Sequence, residues 1–139
     1  VAEHAFALIF TISRRIIESY ERVRERNFSP VGLTGFDLFG KTLGVIGVGN
    51  IGSHVIRIAK GIGMDVLAYK RTPDPKLAAD LGFRFVTMDE LLSQSDIITL
   101  HVPYNKETHH MLNQEAFSKM KDGAIVINTA RGAIVYTGA

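Results

Sequence analysis

Thr42-Leu43-Gly44-Val45-Ile46-Gly47-Val48-Gly49-Asn50-Ile51-Gly52 is the stretch on which the fold turns. Its first half, Thr42–Gly47, is a short apolar run, and its second half opens a segment with a different period. Across Asn50–Ile62 the apolar residues Ile51, Val55, Ile58, Ala59 and Ile62 return at helical spacing. A strand running through a glycine-rich turn into a helix is the expectation. Three glycines, Gly47, Gly49 and Gly52, stand in a G-x-G-x-x-G arrangement at that junction. Alone the pattern is weak; after a strand and before a helix it gains a mechanism.

Outward from this junction, strand and helix signals alternate. Met64–Tyr69 reads as a second strand and Pro75–Leu81 as a short helix, with proline in its first turn. Phe83–Val86 is a weak third strand and Asp89–Ser93 a helical turn. Asp96–Leu100 is a fourth strand, Gln114–Met120 a helix, and Ala124–Asn128 a fifth strand. Such alternation predicts an α/β fold, a doubly wound parallel sheet of the Rossmann type, covered on both faces. The continuous apolar runs Leu43–Ile46 and Ala124–Ile127 suit strands buried on both sides.

Upstream, apolar residues at spacings of three and four from Phe6 to Val23 predict one long helix over residues 2–26. Its first half is apolar nearly all round, which calls for burial on more than one side. A second subunit would supply that, so a homodimer through this helix is expected. Glu18 and Arg22 stand four apart, as on a solvated helix face. The segment Asn27–Gly40 reads as a connector.

With 139 residues, the chain is sized for one domain, 1–139. A composition of 46% hydrophobic and 22% charged residues is ordinary for a globular protein, and the net charge of +2 is dispersed. Neither a nucleic-acid partner nor a membrane partner is expected. With no cysteine, disulfides and thiolate metal sites are excluded, no metal is expected, and a cytoplasmic location is the reading. The start, Val1-Ala2-Glu3-His4, and the end, Tyr136-Thr137-Gly138-Ala139, suggest a piece of something longer.

Each glycine of the junction has a physical role. Gly47 permits the tight turn, Gly49 lets the backbone approach a pyrophosphate, and Gly52 allows close packing of helix on strand. Backbone N–H groups at Asn50–Gly52 and the helix dipole then favour an anion. At about the distance beyond Gly52 where an acidic residue would bond the adenosine ribose, the chain has Lys70, Arg71 and Thr72. These cations would attract a 2′-phosphate that a carboxylate would repel. The cofactor expected is therefore NAD or NADP, with Lys70 and Arg71 favouring NADP. The alternative leaves both cations solvated and Asp74 serving the ribose.

Several ordered motifs also carry a resemblance. Gly40-Lys41-Thr42 through Gly52, Asp96-Ile-Ile-Thr-Leu-His101-Val102-Pro103, Thr108-His-His-Met-Leu-Asn113 and Ile127-Asn128-Thr129-Ala130-Arg131-Gly132 resemble the D-isomer-specific 2-hydroxyacid dehydrogenase family. The wording is closest to its D-lactate dehydrogenase branch; glyoxylate or hydroxypyruvate reductases and phosphoglycerate dehydrogenases remain alternatives. The resemblance implies that the backbone of Asn50 and Ile51 holds the pyrophosphate. It implies that His101, Val102 and Pro103 line the adenosine side and that Thr108 approaches the cofactor. Thr129 and Ala130 would face the nicotinamide ribose, and Arg131 would clamp the carboxylate of a 2-oxo acid and polarise its carbonyl. A guanidinium suits that role because it pairs bidentately with a planar carboxylate.

Two departures from the family pattern stand out. Lys70 replaces the usual aspartate, and after Gly132 the chain reads Ala-Ile-Val135-Tyr136 in place of the usual continuation. The resemblance implies that residues 1–139 are a dinucleotide-binding domain without its substrate or catalytic domain, and that the family's proton-donating histidine and its glutamate come from beyond this point, so the fragment alone is expected to be inactive. His4, His54, His101, His109 and His110 are read as structural, solvated or cofactor-lining instead of as substitutes. A non-catalytic dinucleotide-sensing module of the corepressor type is the competing function.

Overall fold

A computed structural model describes residues 2–14, 20, 21, 24, 37–102 and 111–128. Helix α1 spans Ala2–Ser13, strand β1 Thr42–Ile46 and helix α2 Asn50–Ile62. Strand β2, Asp65–Tyr69, helix α3, Pro75–Leu81, and the two-residue strand β3, Arg84–Phe85, come next. Helix α4, Met88–Gln94, strand β4, Ile97–Leu100, helix α5, Gln114–Lys119, and strand β5, Ile125–Asn128, complete the described elements.

All strand pairs are parallel, in the order β3-β2-β1-β4-β5. From β1 the chain winds outward to β2 and β3, then crosses back to place β4 on the other side of β1. The doubly wound reading is borne out. The crevice between β1 and β4 is the switch point at which open α/β sheets bind ligands.

Two apolar layers cover the sheet. Val45, Val66, Ala68, Ile97 and Ile127 pack under α1 and α2 with Phe6, Ile9, Val55 and Ala59. On the opposite face Ile46, Ile98 and Leu100 meet Leu91, Leu92, Leu112 and Ala116. Successive residues of β4 alternate between these layers, yet all four are buried, as a doubly covered strand requires. Gly44 lies where α4 crosses β1: a Cβ there would stand 2.8 Å from a methyl group of Leu91.

Local chemistry sets the helix limits. Asp74 caps α3 by accepting from Leu77 N at 3.2 Å, ahead of Pro75. Thr87 and Glu90 form a reciprocal capping box on α4, which extends the expected turn at Asp89–Ser93 to a helix. Asn113 caps α5 through Ala116 N at 3.0 Å. Helix α2 ends on Gly63, which is left-handed at φ 96° and donates to Ala59 and Lys60.

Two expectations shift. The apolar face of α2 runs through Gly52, Val55, Ile56 and Ala59, while Ile51 is 40% exposed. The face is rotated because Gly52, lacking a side chain, is the residue that meets the turn. Of the helix expected over residues 2–26, α1 ends at Ser13, Arg14 lies in a turn and pairs with Asp37 at 3.0 Å, and residues 20, 21 and 24 are helical. The Glu18–Arg22 pair lies outside the described residues.

Candidate functional site at the carboxyl ends of the strands

Three strand ends converge at the switch point. Gly47 N donates to Tyr69 O at 3.0 Å, tying the glycine turn to the end of β2. His101 N donates to Ile46 O at 2.8 Å, tying the end of β4 to the end of β1. A Cβ on Gly47 would lie 2.5 Å from His101 O and 2.6 Å from Val102 Cγ1. So Gly47, Lys70, His101 and Val102, separated in sequence, are brought to one edge.

The three glycines divide their work as expected of Gly47 and Gly52. Gly47 takes φ 94°, a conformation open to glycine and costly for other residues. A Cβ on Gly52 would collide with the carbonyl oxygen of Gly47, so the start of α2 presses directly on the turn. Gly49 differs. Its φ of −112° is not left-handed, its ψ of −149° lies just outside the extended region, and a Cβ placed on it would meet none of the described residues within 4 Å. Packing among the described residues does not require glycine at this position. The space beside it is what a phosphate group approaching the backbone would need.

Helix α2 begins at this open space. Its N-cap is Gly49, and no side chain caps it, in contrast to α3, α4 and α5. First-turn N–H groups lack intrahelical acceptors and carry the positive end of the helix dipole. Asn50 and Ile51, both exposed, stand in that turn. These residues fit a dinucleotide pyrophosphate: the turn is glycine, the adjacent space is open, and donors face it. Beside the same turn lies a groove of about 430 Å³ lined by Ala2, Glu3, Ile51, His54, Arg57 and Ile58.

His101 is half-buried after β4, its Nε2 2.8 Å from Thr99 Oγ1. Burial lowers its pKa below the ordinary histidine value, which favours a neutral ring. Thr99 was not singled out by the sequence, although a period of two along a strand places residues 99 and 101 on one face. Tyr69, whose carbonyl anchors the turn, also lacked any sequence signal because the contact is through backbone alone.

Lys70 directly follows β2 and is half-buried; Arg71 is exposed and engaged in an interaction of its own. The Oδ1 of Asp74 is committed to the cap of α3. His4 and His54 are exposed on α1 and α2. Pro103, Thr108, Thr129, Ala130 and Arg131 lie outside the described residues, as do His109 and His110. Among the described residues no cluster of three His, Asp or Glu side chains forms, and no helix is long and apolar enough to cross a membrane.

Residues 6–139 match the model of the D-isomer specific 2-hydroxyacid dehydrogenase NAD-binding domain. A 2-hydroxyacid dehydrogenase homolog of Haemophilus influenzae is 50% identical over 139 residues, covering 100% of this chain and 42% of that protein. Apo D-lactate dehydrogenase from Escherichia coli superposes with a TM-score of 0.95 at 47% identity, over 100% of this chain and 44% of the other. D-Lactate dehydrogenase from Aquifex aeolicus, solved with NAD and lactic acid, gives a TM-score of 0.93 at 47% identity, over 99% and 41% of the two chains. The sequence thus spans about 42% of the length of the curated relatives it matches. With strand order, glycine turn and sequence in agreement, the chain belongs to the D-isomer specific 2-hydroxyacid dehydrogenase family, as its NAD-binding domain.

Proposed function

We propose that residues 1–139 form the dinucleotide-binding domain of an oxidoreductase acting on a small 2-hydroxy acid of the D-lactate type. The observation that carries this reading is Gly49, a glycine that packing among the described residues does not require, beside a helix start without a side-chain cap at the switch point. A nicotinamide dinucleotide exchanges hydride with the 2-oxo acid when bound. The chain's own contribution is to bind and orient. Gly47, Gly49, Gly52 and the backbone of Asn50 and Ile51 receive the pyrophosphate. His101, Val102, Pro103 and Thr108 line the adenosine side, and Thr129 and Ala130 the nicotinamide ribose. Arg131 holds the substrate carboxylate and polarises its carbonyl.

A proton donor and a substrate domain belong to the rest of the parent enzyme, so this chain alone turns over no oxo acid. The fit of the whole chain to named dehydrogenases favours this reading over a non-catalytic sensing module. Lys70 and Arg71 at the end of β2 favour NADP, whereas the relative from Aquifex aeolicus was solved with NAD. The protein acts in the cytoplasm, in keeping with a sequence free of cysteine. It dimerises through α1, where Leu8, Phe10 and Ile12 are 37%, 36% and 46% exposed.

Titration of the purified chain with NADH and, separately, NADPH tests the reading through nicotinamide fluorescence. Saturable binding of one or both is expected, with NADPH tighter and Lys70→Asp reversing that order. A preference for NADH in the unaltered chain would remove the argument from Lys70 and Arg71. Failure of both to bind would remove the cofactor site itself.

A further inference from the structure

Thr99 is wholly buried in the central part of the sheet, yet it carries a hydroxyl. Its partners in register are Val45 on β1 and Ile127 on β5, and Ile97 precedes it on the same face. Valine, with the same shape and no polar atom, would pack among these neighbours at least as well. A buried hydroxyl is costly unless it is hydrogen-bonded. Here it is bonded, 2.8 Å from His101 Nε2, at the point where β4 leaves the sheet.

We infer that Thr99 is a positioning residue whose hydroxyl fixes the His101 imidazole and, through it, the His101–Val102 backbone against the glycine turn. Three restraints then act on His101. Its amide donates to Ile46 O, its carbonyl stands against Gly47, and its ring is tied to Thr99. The β-branched threonine has few χ1 choices, so its hydroxyl is a firm anchor. Ring and backbone of a residue lining the dinucleotide cleft are thereby set before any ligand arrives, which lowers the ordering cost of binding. Only the carboxyl end of β4 is affected; the packing beneath Thr99 is unchanged by loss of the hydrogen bond.

This inference rests on the cofactor reading proposed above, and the test separates the two. Thr99→Val and Thr99→Ser would be compared with the unaltered chain in NADH affinity, thermal midpoint and the ¹⁵N resonances of the His101 ring. Thr99→Val is expected to bind NADH roughly tenfold more weakly, the scale of one hydrogen bond, with its midpoint shifted by only a few degrees. The His101 ring resonances should move in Thr99→Val, and Thr99→Ser should restore both affinity and resonances. NADH binding by Thr99→Val equal to that of the unaltered chain would overturn the inference while leaving the cofactor site in place. A collapse of the thermal midpoint that serine does not rescue would reduce Thr99 to a packing residue. Absence of NADH binding in the unaltered chain would overturn the cofactor reading and the inference with it.

Discussion

The two ends of the sheet treat their polar groups in opposite ways. At the amino end the groups satisfy one another. Asp96 Oδ2 accepts from Thr42 N at 2.8 Å, Asp96 N donates to Thr42 O at 2.9 Å, and Lys121 Nζ reaches Asp96 Oδ1 at 3.0 Å. Ile125 N donates to Asp96 O at 3.1 Å, so a single residue joins β1, β4 and β5. At the carboxyl end Gly47 and His101 make the bonds that hold the turn, and beyond them α2 starts without a side-chain cap over open space. One end is closed by the chain itself. The other leaves the first turn of α2 without a side-chain cap.

The difference can be broken first at the glycine turn. Gly47→Ala should cost about 2–4 kcal/mol in urea denaturation, because it combines a left-handed φ with backbone overlap on His101. Gly52→Ala should fall in the same range, since its Cβ meets a carbonyl oxygen instead of a side chain that could swing aside.

Next in size is the closed end. Asp96→Ala strips Thr42 N and Lys121 of their acceptor and should destabilise by about 1–3 kcal/mol. Burial works to raise the Asp96 pKa, but the Thr42 amide and Lys121 outweigh it and leave the pKa lowered. A carboxyl with a lowered folded-state pKa stabilises fully above its unfolded value. That stabilisation disappears as pH falls through the folded value, and Asp96→Asn should lack this acid-limb dependence in pH-resolved melts.

A smaller effect belongs to His101. Its lowered pKa means the unfolded chain binds the proton more readily than the folded one. Stability should therefore decline as pH falls from about 6.5 towards the folded value and level off below it. His101→Gln should flatten that slope between pH 7.5 and 5 relative to the unaltered chain; an identical slope would deny His101 the role.

Much of this architecture was legible in the sequence for identifiable reasons. The strands Thr42–Ile46 and Ile97–Leu100 lie in the middle of the sheet, and all their residues but Thr42 are buried, so their apolar runs could not be mistaken for surface. Gly47 and Gly52 announced a turn and a close approach, and both are present. The helix at Met88–Gln94 was read too short because its limit is set by side-chain capping between Thr87 and Glu90, not by hydrophobic period. Ile51 was assigned to the buried face because apolarity was counted without the turn geometry that rotates Gly52 inward. Thr99 escaped notice because its value depends on a through-space partner, and a lone threonine in a strand normally reports only β-propensity.

Gly49→Ala asks most directly whether the open end is reserved for a dinucleotide. Its Cβ meets none of the described residues within 4 Å and its φ is not left-handed, so stability should fall by no more than about 1 kcal/mol. Paired melting and NADH titration of this variant should show at most that small loss of stability, with binding weakened at least about tenfold, or about 1.4 kcal/mol. Unchanged stability with unchanged NADH affinity would contradict the claim, because the space beside Gly49 would then serve no ligand.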